Sequence, residues 1–326
     1  MLGSARDAKE PVPCTACFHS IIAQRLLSPS PPMLYSLPAA ADPAFMQRWV
    51  DDFANSEIVL QRGSTNVPFQ PLAFVDATHY GESTLERSDG SSVSARQTTL
   101  SQGAVLPFLM SPRDALLVGD WVSWSHFDST SSNLDSFDVL SVGLPVGWFR
   151  QVNSRWQAGG FVMPLGHKAS GESWSWETMA GFARYVQNER LWWAFGLYAD
   201  VSSGDDLYLP YLGASYALDE RWTLSAVMPW PAVLYAPDKQ TLYRLGVSPS
   251  GASWSADTGT RDIQYELDTW DFGFSAGRRL SGNLWLEGEV GVTGLTGMSL
   301  RGSNWEEPEF DVNNSPYVSI GINFRP

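Results

Sequence analysis

The residues best placed for chemistry are the histidines, the cysteines and a few carboxylates. The chain has four histidines and two cysteines. His126 lies in Trp124-Ser-His-Phe-Asp-Ser-Thr-Ser-Ser-Asn133, with Ser125, Ser129, Ser131 and Ser132 close by in sequence. A serine nucleophile needs a base within hydrogen-bonding reach and a third group to orient that base. Here the serines fall in what reads as a polar loop, where serine is common without chemistry. Cys14 and Cys17, as Cys-Thr-Ala-Cys, have the spacing of a redox or metal pair. No βαβ pattern follows them and no second ligand pair is near. His79 and His167 stand singly near predicted strand ends and read as solvated rim residues. Trp305-Glu-Glu-Pro-Glu-Phe-Asp311 could collect a divalent cation through carboxylate oxygens, and reads more simply as a solvated loop. Gly251-Ala-Ser-Trp254 lacks the strand–helix context of a phosphate loop. These residues assign no catalytic group, no metal site and no cofactor.

The composition narrows the class. Aromatic residues make up 13% of the chain, with 15 Trp, while charged residues are only 17%, against the usual share of roughly a quarter. No apolar run approaches the ~20 residues of a membrane-spanning helix. The net charge of −14 excludes nucleic acid as a partner, since phosphate binding needs clustered Lys and Arg. Lys9, Lys168 and Lys239 are the only lysines. The acidic excess suits an exposed surface or a cation-attracting lumen. An aromatic-rich, charge-poor chain without membrane helices is what a β-barrel with one lipid face and one polar face would look like.

The elements that must position any site are strands of period two. Leu140, Val142, Leu144, Val146 and Trp148 alternate with Ser141, Gly143, Pro145 and Gly147, which puts five large apolar groups on one face. Leu191, Trp193, Phe195, Leu197 and Val201 alternate with Ala194, Gly196, Tyr198 and Asp200; Leu284, Leu286, Val290 and Val292 alternate with Glu287, Glu289 and Thr293. Trp270, Phe272, Phe274 and Ala276 oppose Asp271 and Ser275 in the same way. Carboxylates facing lipid are costly, so these acids are expected to face inward. Short turns at Ser111–Asp114, Gln151–Ser154, Gln187–Arg190, Leu218–Glu220, Pro237–Gln240 and Ser281–Asn283 alternate with longer polar stretches. Those stretches are Gly81–Val93, Asp128–Asn133, Gly251–Asp262 and Ser299–Asn314. Short turns at one end and long loops at the other are the two ends of an outer-membrane barrel.

Fourteen strands are predicted, starting near residues 70, 95, 115, 136, 155, 174, 191, 207, 221, 232, 241, 263, 284 and 316, within a range of about 12–16. Pro229 and Pro231 interrupt Trp222–Tyr235, which reads as a tight corner between two short strands. Trp148, Trp193, Trp222 and Trp285 suit an aromatic girdle. The last run, Tyr317–Phe324, alternates Val318, Ile320, Ile322 and Phe324 against Ser319, Gly321 and Asn323. It resembles the closing strand that the outer-membrane assembly machinery recognises, except that Arg325-Pro326 follows the aromatic residue.

The N-terminal part reads differently. Ser36-Leu-Pro-Ala-Ala-Ala41 resembles a signal-peptide cleavage site. The stretch before it is broken by Pro29, Pro31 and Pro32, so residues 1–41 are expected to be an atypical leader or a disordered segment. Residues 42–66 are expected to be a periplasmic arm or short helix, and 67–326 the barrel.

Arg221-Trp-Thr-Leu-Ser-Ala-Val-Met-Pro-Trp-Pro-Ala-Val-Leu-Tyr-Ala-Pro-Asp238 and Arg244-Leu-Gly-Val-Ser-Pro-Ser-Gly-Ala-Ser-Trp254 resemble a proteobacterial family of outer-membrane β-barrels known only as a domain of unknown function. The resemblance covers residues 65–326 and implies a barrel and a location, with no substrate or active residues to carry over. The fold expected is therefore all-β: a single antiparallel up-and-down transmembrane β-barrel in the outer membrane of a Gram-negative bacterium. Expected partners are outer-membrane lipids and lipopolysaccharide, the assembly machinery through the strand ending at Phe324, and an unidentified small solute. Asp120, Asp200, Arg244, Asp271, Glu287 and Glu289 are the candidate lumen-lining residues, each with a large apolar neighbour of opposite parity. The expected role is a pore or passive channel, or a structural component of the membrane. One alternative is a barrel-wall lipid hydrolase of the lipid A deacylase or phospholipase type, resting on His126, although the Ser-Asn-Gly sequence typical of such enzymes is absent. The other is a soluble secreted carbohydrate-binding β-sandwich.

Overall fold

Short turns frame one end of the molecule, and their own side chains build them. Ser111 Oγ accepts from the backbone N–H groups of Arg113 and Asp114. Asn153, Asn188 and Asp219 each accept two backbone N–H groups further along their turns. These are Asx-type and Ser-type turns, in which a short polar side chain replaces a missing backbone partner. The two N–H groups hold the Asp219 carboxyl below the usual carboxylate range. Gly282 takes a left-handed φ of 53° in the turn it shares with Ser281, a conformation that costs glycine little.

The computed structural model describes residues 51–326 except 53–54, 60–61, 87–91, 130–135, 170–173, 203–205, 229, 258–261 and 303–304. The leader expected at 1–41, Cys14, Cys17, Ser131, Ser132 and Pro229 lie outside the described residues. Sixteen strands follow one another: β1 Ala73–Glu86, β2 Ser92–Ser111, β3 Asp114–Ser129, β4 Phe137–Gly143 and β5 Val146–Gln151. Next come β6 Trp156–Ala169, β7 Ser175–Gln187, β8 Leu191–Ser202, β9 Asp206–Ala217, β10 Trp222–Ala226 and β11 Ala232–Asp238. The last are β12 Thr241–Asp257, β13 Asp262–Ser281, β14 Leu284–Gly302, β15 Trp305–Val312 and β16 Pro316–Phe324. Several run further than expected, so parts of 81–93, 251–262 and 299–314 are strand rather than loop.

All sixteen belong to one antiparallel sheet, and the sheet closes. β4 and β5 together lie between β3 and β6, while β15 and β16 together lie between β14 and β1. Two staves are thus broken in two, and the sixteen strands make fourteen staves. Closure runs through β16, from Ala73↔Phe324 to Tyr80↔Tyr317 on β1 and from Leu284↔Phe324 to Val292↔Pro316 on β14. A single closed sheet rules out the two stacked sheets of a sandwich.

Alternation fixes inside and outside. Val290, Val318, Ile320 and Ile322 are between 51% and 59% exposed, whereas Asp271, Ser275 and Asn323 on the opposite faces are 8% or less. The apolar face is therefore outside and the polar face inside, as lipid on one side and a lumen on the other require. The Leu140–Trp148 run is broken at Leu144-Pro145, since proline cannot donate to a ladder. Both halves keep their parity across the break, and Pro145 accepts the Gly119 N–H instead. Trp148, Trp193 and Trp222 stand outward near the turn end, whereas Trp285 is buried inside against Ala236 and Leu242.

Two features break the regularity of the wall. β10 and β11 are half-height, ending at the Met228–Pro231 corner, where Trp230 N–H bonds the Val227 carbonyl and Pro231 accepts from Val247. Above them, 206–213 of β9 and 248–257 of β12 have no described strand partner on the sides that face each other. The second feature is the segment 55–72, which runs as a strap around the turn-end rim. It bonds in order to Pro112, then Gln151 and Gln157, Ser215, Glu189, Glu220 and Ala236. It leaves the rim as Leu72 donates to the Phe324 carbonyl.

Candidate functional site

The inner face of β1, β12, β13, β14 and β16 carries the charged side chains. Arg244 and Ser275 face each other across β12 and β13, and Glu289 lies one strand further on. The Arg244 guanidinium is 3.7 Å from Glu289, which also accepts a 2.5 Å bond from the Tyr317 hydroxyl. Nearer the turns, Glu287 accepts from Asn323 at 2.6 Å and Arg325 at 2.7 Å. Asp271 accepts from Tyr80 at 2.9 Å and from Ser250 at 2.7 Å. The rings of Tyr80 and Tyr317 lie 5.5 Å apart. The wall has no room to spare at this point: a Cβ on Gly273 would overlap the Tyr317 hydroxyl and the Glu289 carboxylate, and one on Gly291 would overlap the Phe272 carbonyl.

Arg325 links three parts of the molecule. It pairs with Glu287, donates to the Phe69 carbonyl of the strap at 3.2 Å, and lies 5.7 Å from the Trp285 ring. Burial lowers the pKa of its guanidinium, and Glu287 opposes that shift. Further round the rim, Arg62 of the strap sits 4.5 Å over Trp192 and bonds Ser215. Burial pushes the Arg62 guanidinium down to about 10, so it is charged at neutral pH.

On β1 itself Phe74 lies over the inner face of Gly103. The wall further round mixes rings with polar groups: Trp121, Met163 and Leu165 surround the inner face of Gly143 and Phe149 covers Gly159, while Ser123, Ser141, Gln151 and Gln157 are buried on the same face. Phe161 has the parity of buried Gln157 and Gly159, yet it is 43% exposed, as a side chain open to a lumen would be. At the loop end, Phe127 and Phe137 stack at 4.8 Å, and both meet Trp254, at 5.6 and 5.5 Å. Tyr265 stacks on Trp254 with planes 2° apart. These rings come from β3 and β4 on one side and β12 and β13 on the other, and β12 also meets β6. Those staves are not neighbours in the sheet, so the rings bridge the lumen.

Of the six lumen candidates, Arg244, Asp271, Glu287 and Glu289 come together on the charged inner wall. Asp120 does not join them. It stands opposite Ala104 on the outer face of β3, beside the Leu144-Pro145 break, because Trp121 takes the inner position. The side chain of Asp200 lies outside the described residues. The parity rule alone did not single out Asp76, Tyr80, Tyr317, Asn323 and Arg325; Asp76, between outward Val75 and Ala77, carried the same signal as Glu287.

The hydrolase arrangement is not assembled among the described residues. His126 Nδ1 is 2.8 Å from Asp138 and its ring stacks on Trp124. Ser125 and Ser129 fall on the other face of β3, where Ser125 bonds Thr99. His79 bonds Thr98 on the outer face, and His167 is buried against Ser141 on the inner one. The acidic side chains at 306–311 lie outside the described residues.

No protein-family model matches this sequence, and neither does any curated protein, so the family suggested by the Pro-Trp-Pro region has no match behind it. Among solved structures, the chain is similar to an outer-membrane channel from Pseudomonas putida F1, at 11% identity and a TM-score of 0.43, over 81% of this chain and 99% of that one. It is similar to a Pseudomonas aeruginosa FadL homologue at 11% identity and a TM-score of 0.41, over 83% and 96%. It also matches the translocator domain of a Neisseria meningitidis autotransporter at 8% identity and a TM-score of 0.34, over 78% and 88%.

Proposed function

We propose that this chain spans the outer membrane of a Gram-negative bacterium as a channel for small solutes. The observation that carries this reading is the closed fourteen-stave sheet with its apolar side chains outside and an ionic wall inside. Eight staves leave an interior that side chains just fill, and larger barrels enclose a cavity or channel. The exposed Phe161 on the inner face fits a cavity. The gap between β9 and β12 fits one too. Unpaired strand edges cost several kcal/mol per group against hydrocarbon and persist only where they line water or protein. The rings of Phe127, Phe137, Trp254 and Tyr265 narrow the loop-end mouth, and the strap runs along the other.

The test is single-channel recording of the purified, folded chain in a planar bilayer. Discrete conductance steps are expected, with Trp254→Ala giving larger ones. A folded barrel that gives no steps would favour a structural role in the membrane.

A further inference from the structure

The charged wall is not balanced, and the imbalance sits at particular residues. Among the described residues, four carboxylates face inward there, Asp76, Asp271, Glu287 and Glu289, and two arginines answer them. Arg325 is committed to Glu287 and Arg244 to Glu289. Among the described residues, Asp76 and Asp271 have no cationic partner. Asp271 is held by the neutral hydroxyls of Tyr80 and Ser250, which fix a carboxylate in place without cancelling its charge. Asp76 lies close to the Glu287 and Glu289 pairs, and with those pairs near neutral the uncompensated charge on this wall is that of Asp76 and Asp271. Across the lumen, on β3, β5 and β6, Trp121, Phe149 and Phe161 stand among neutral polar groups such as Ser123 and Gln157. A solute that passes feels the field of this fixed negative charge, Asp271 acting from behind Tyr80 and Ser250, and has the Trp121, Phe149 and Phe161 rings on the other side. Carboxylate-lined pores favour cations, and aromatic faces attract them as well.

We propose that the lumen selects cations over anions, and that among organic solutes it favours an aromatic body bearing an ammonium group, with Asp76 and Asp271 as the specificity-determining residues. This rests on the channel reading and names its solute class. The acids committed to arginines contribute less, because each pair is close to neutral seen from the lumen.

The experiment is reversal-potential measurement on the full chain in planar bilayers under a KCl gradient. Potassium is expected to permeate about fivefold more readily than chloride, a modest local enrichment of counter-ions. Asp76→Asn combined with Asp271→Asn should bring the ratio close to one while the conductance steps persist. The unsubstituted chain is also tested with benzylammonium and benzoate, two probes of matching body and opposite charge, so the result does not depend on the variant folding. Benzylammonium should permeate better. Equal passage of the two probes, or of potassium and chloride, would overturn the selectivity and leave the channel standing. An absence of steps in every preparation would overturn the channel reading, and the selectivity with it.

Discussion

Arg325 shows how much one residue can hold. It follows Phe324, where a closing strand would ordinarily end, and it is 7% exposed with its charge answered by Glu287. Removing one partner of a buried pair leaves the other charge desolvated and uncompensated, which costs more than the pair itself was worth. Arg325→Ala is therefore expected to destabilise the barrel by about 2–4 kcal/mol, with Glu287→Gln recovering part of the loss in the double variant. Urea midpoints in detergent micelles would measure both, and an unchanged midpoint would contradict the assigned role. In sequence this residue reads only as a departure from a terminal pattern. Its partners lie on β14 and on the strap, and period-two alternation says nothing about contacts between elements. Asp271, Glu287 and Glu289 were legible because each sits beside a large outward apolar residue, Phe272, Leu286 and Val290. Asp120 was misread for the converse reason: on β3 the large neighbour Trp121 is the one that faces in.

At the scale of elements, the strands were legible and their interruptions partly so. The fourteen predicted starts each fall within three residues of a strand, because turn chemistry and alternation agree at the turn end. The corner between β10 and β11 was legible too, since proline, here Pro231, removes a ladder donor wherever it stands. The break at Leu144-Pro145 was hidden by intact alternation on both sides of it. A periplasmic arm or short helix was expected over 42–66, but the path of the strap was not legible: it has no period, and its order comes from the barrel rim. Arg62→Ala should loosen it, because it removes a ring contact with Trp192 and two hydrogen bonds to Ser215, together worth about 1–2 kcal/mol. Hydrogen exchange at residues 62–66 is expected to quicken about tenfold while the strands keep their protection. Unchanged exchange in the strap would mean that Arg62 does not anchor it.

For the whole molecule, the outer surface is the decisive feature. Val75, Met110, Leu144, Leu212 and Leu245 are each between 56% and 69% exposed and come from places spread round the sheet. Apolar exposure of this kind is a liability in water, where contiguous patches mark contact surfaces or drive aggregation, and it is the requirement in hydrocarbon. That argument was available from composition and alternation alone. The closure of the sheet was not, because the β1–β16 pairing joins residues more than 230 positions apart in the chain. The most direct test is migration of the outer-membrane fraction on a denaturing gel, with and without heating. A closed barrel resists unfolding by detergent at room temperature, so the unheated protein should run ahead of the heated one. Identical migration, or recovery of the protein from the soluble periplasmic fraction, would contradict a membrane-spanning barrel.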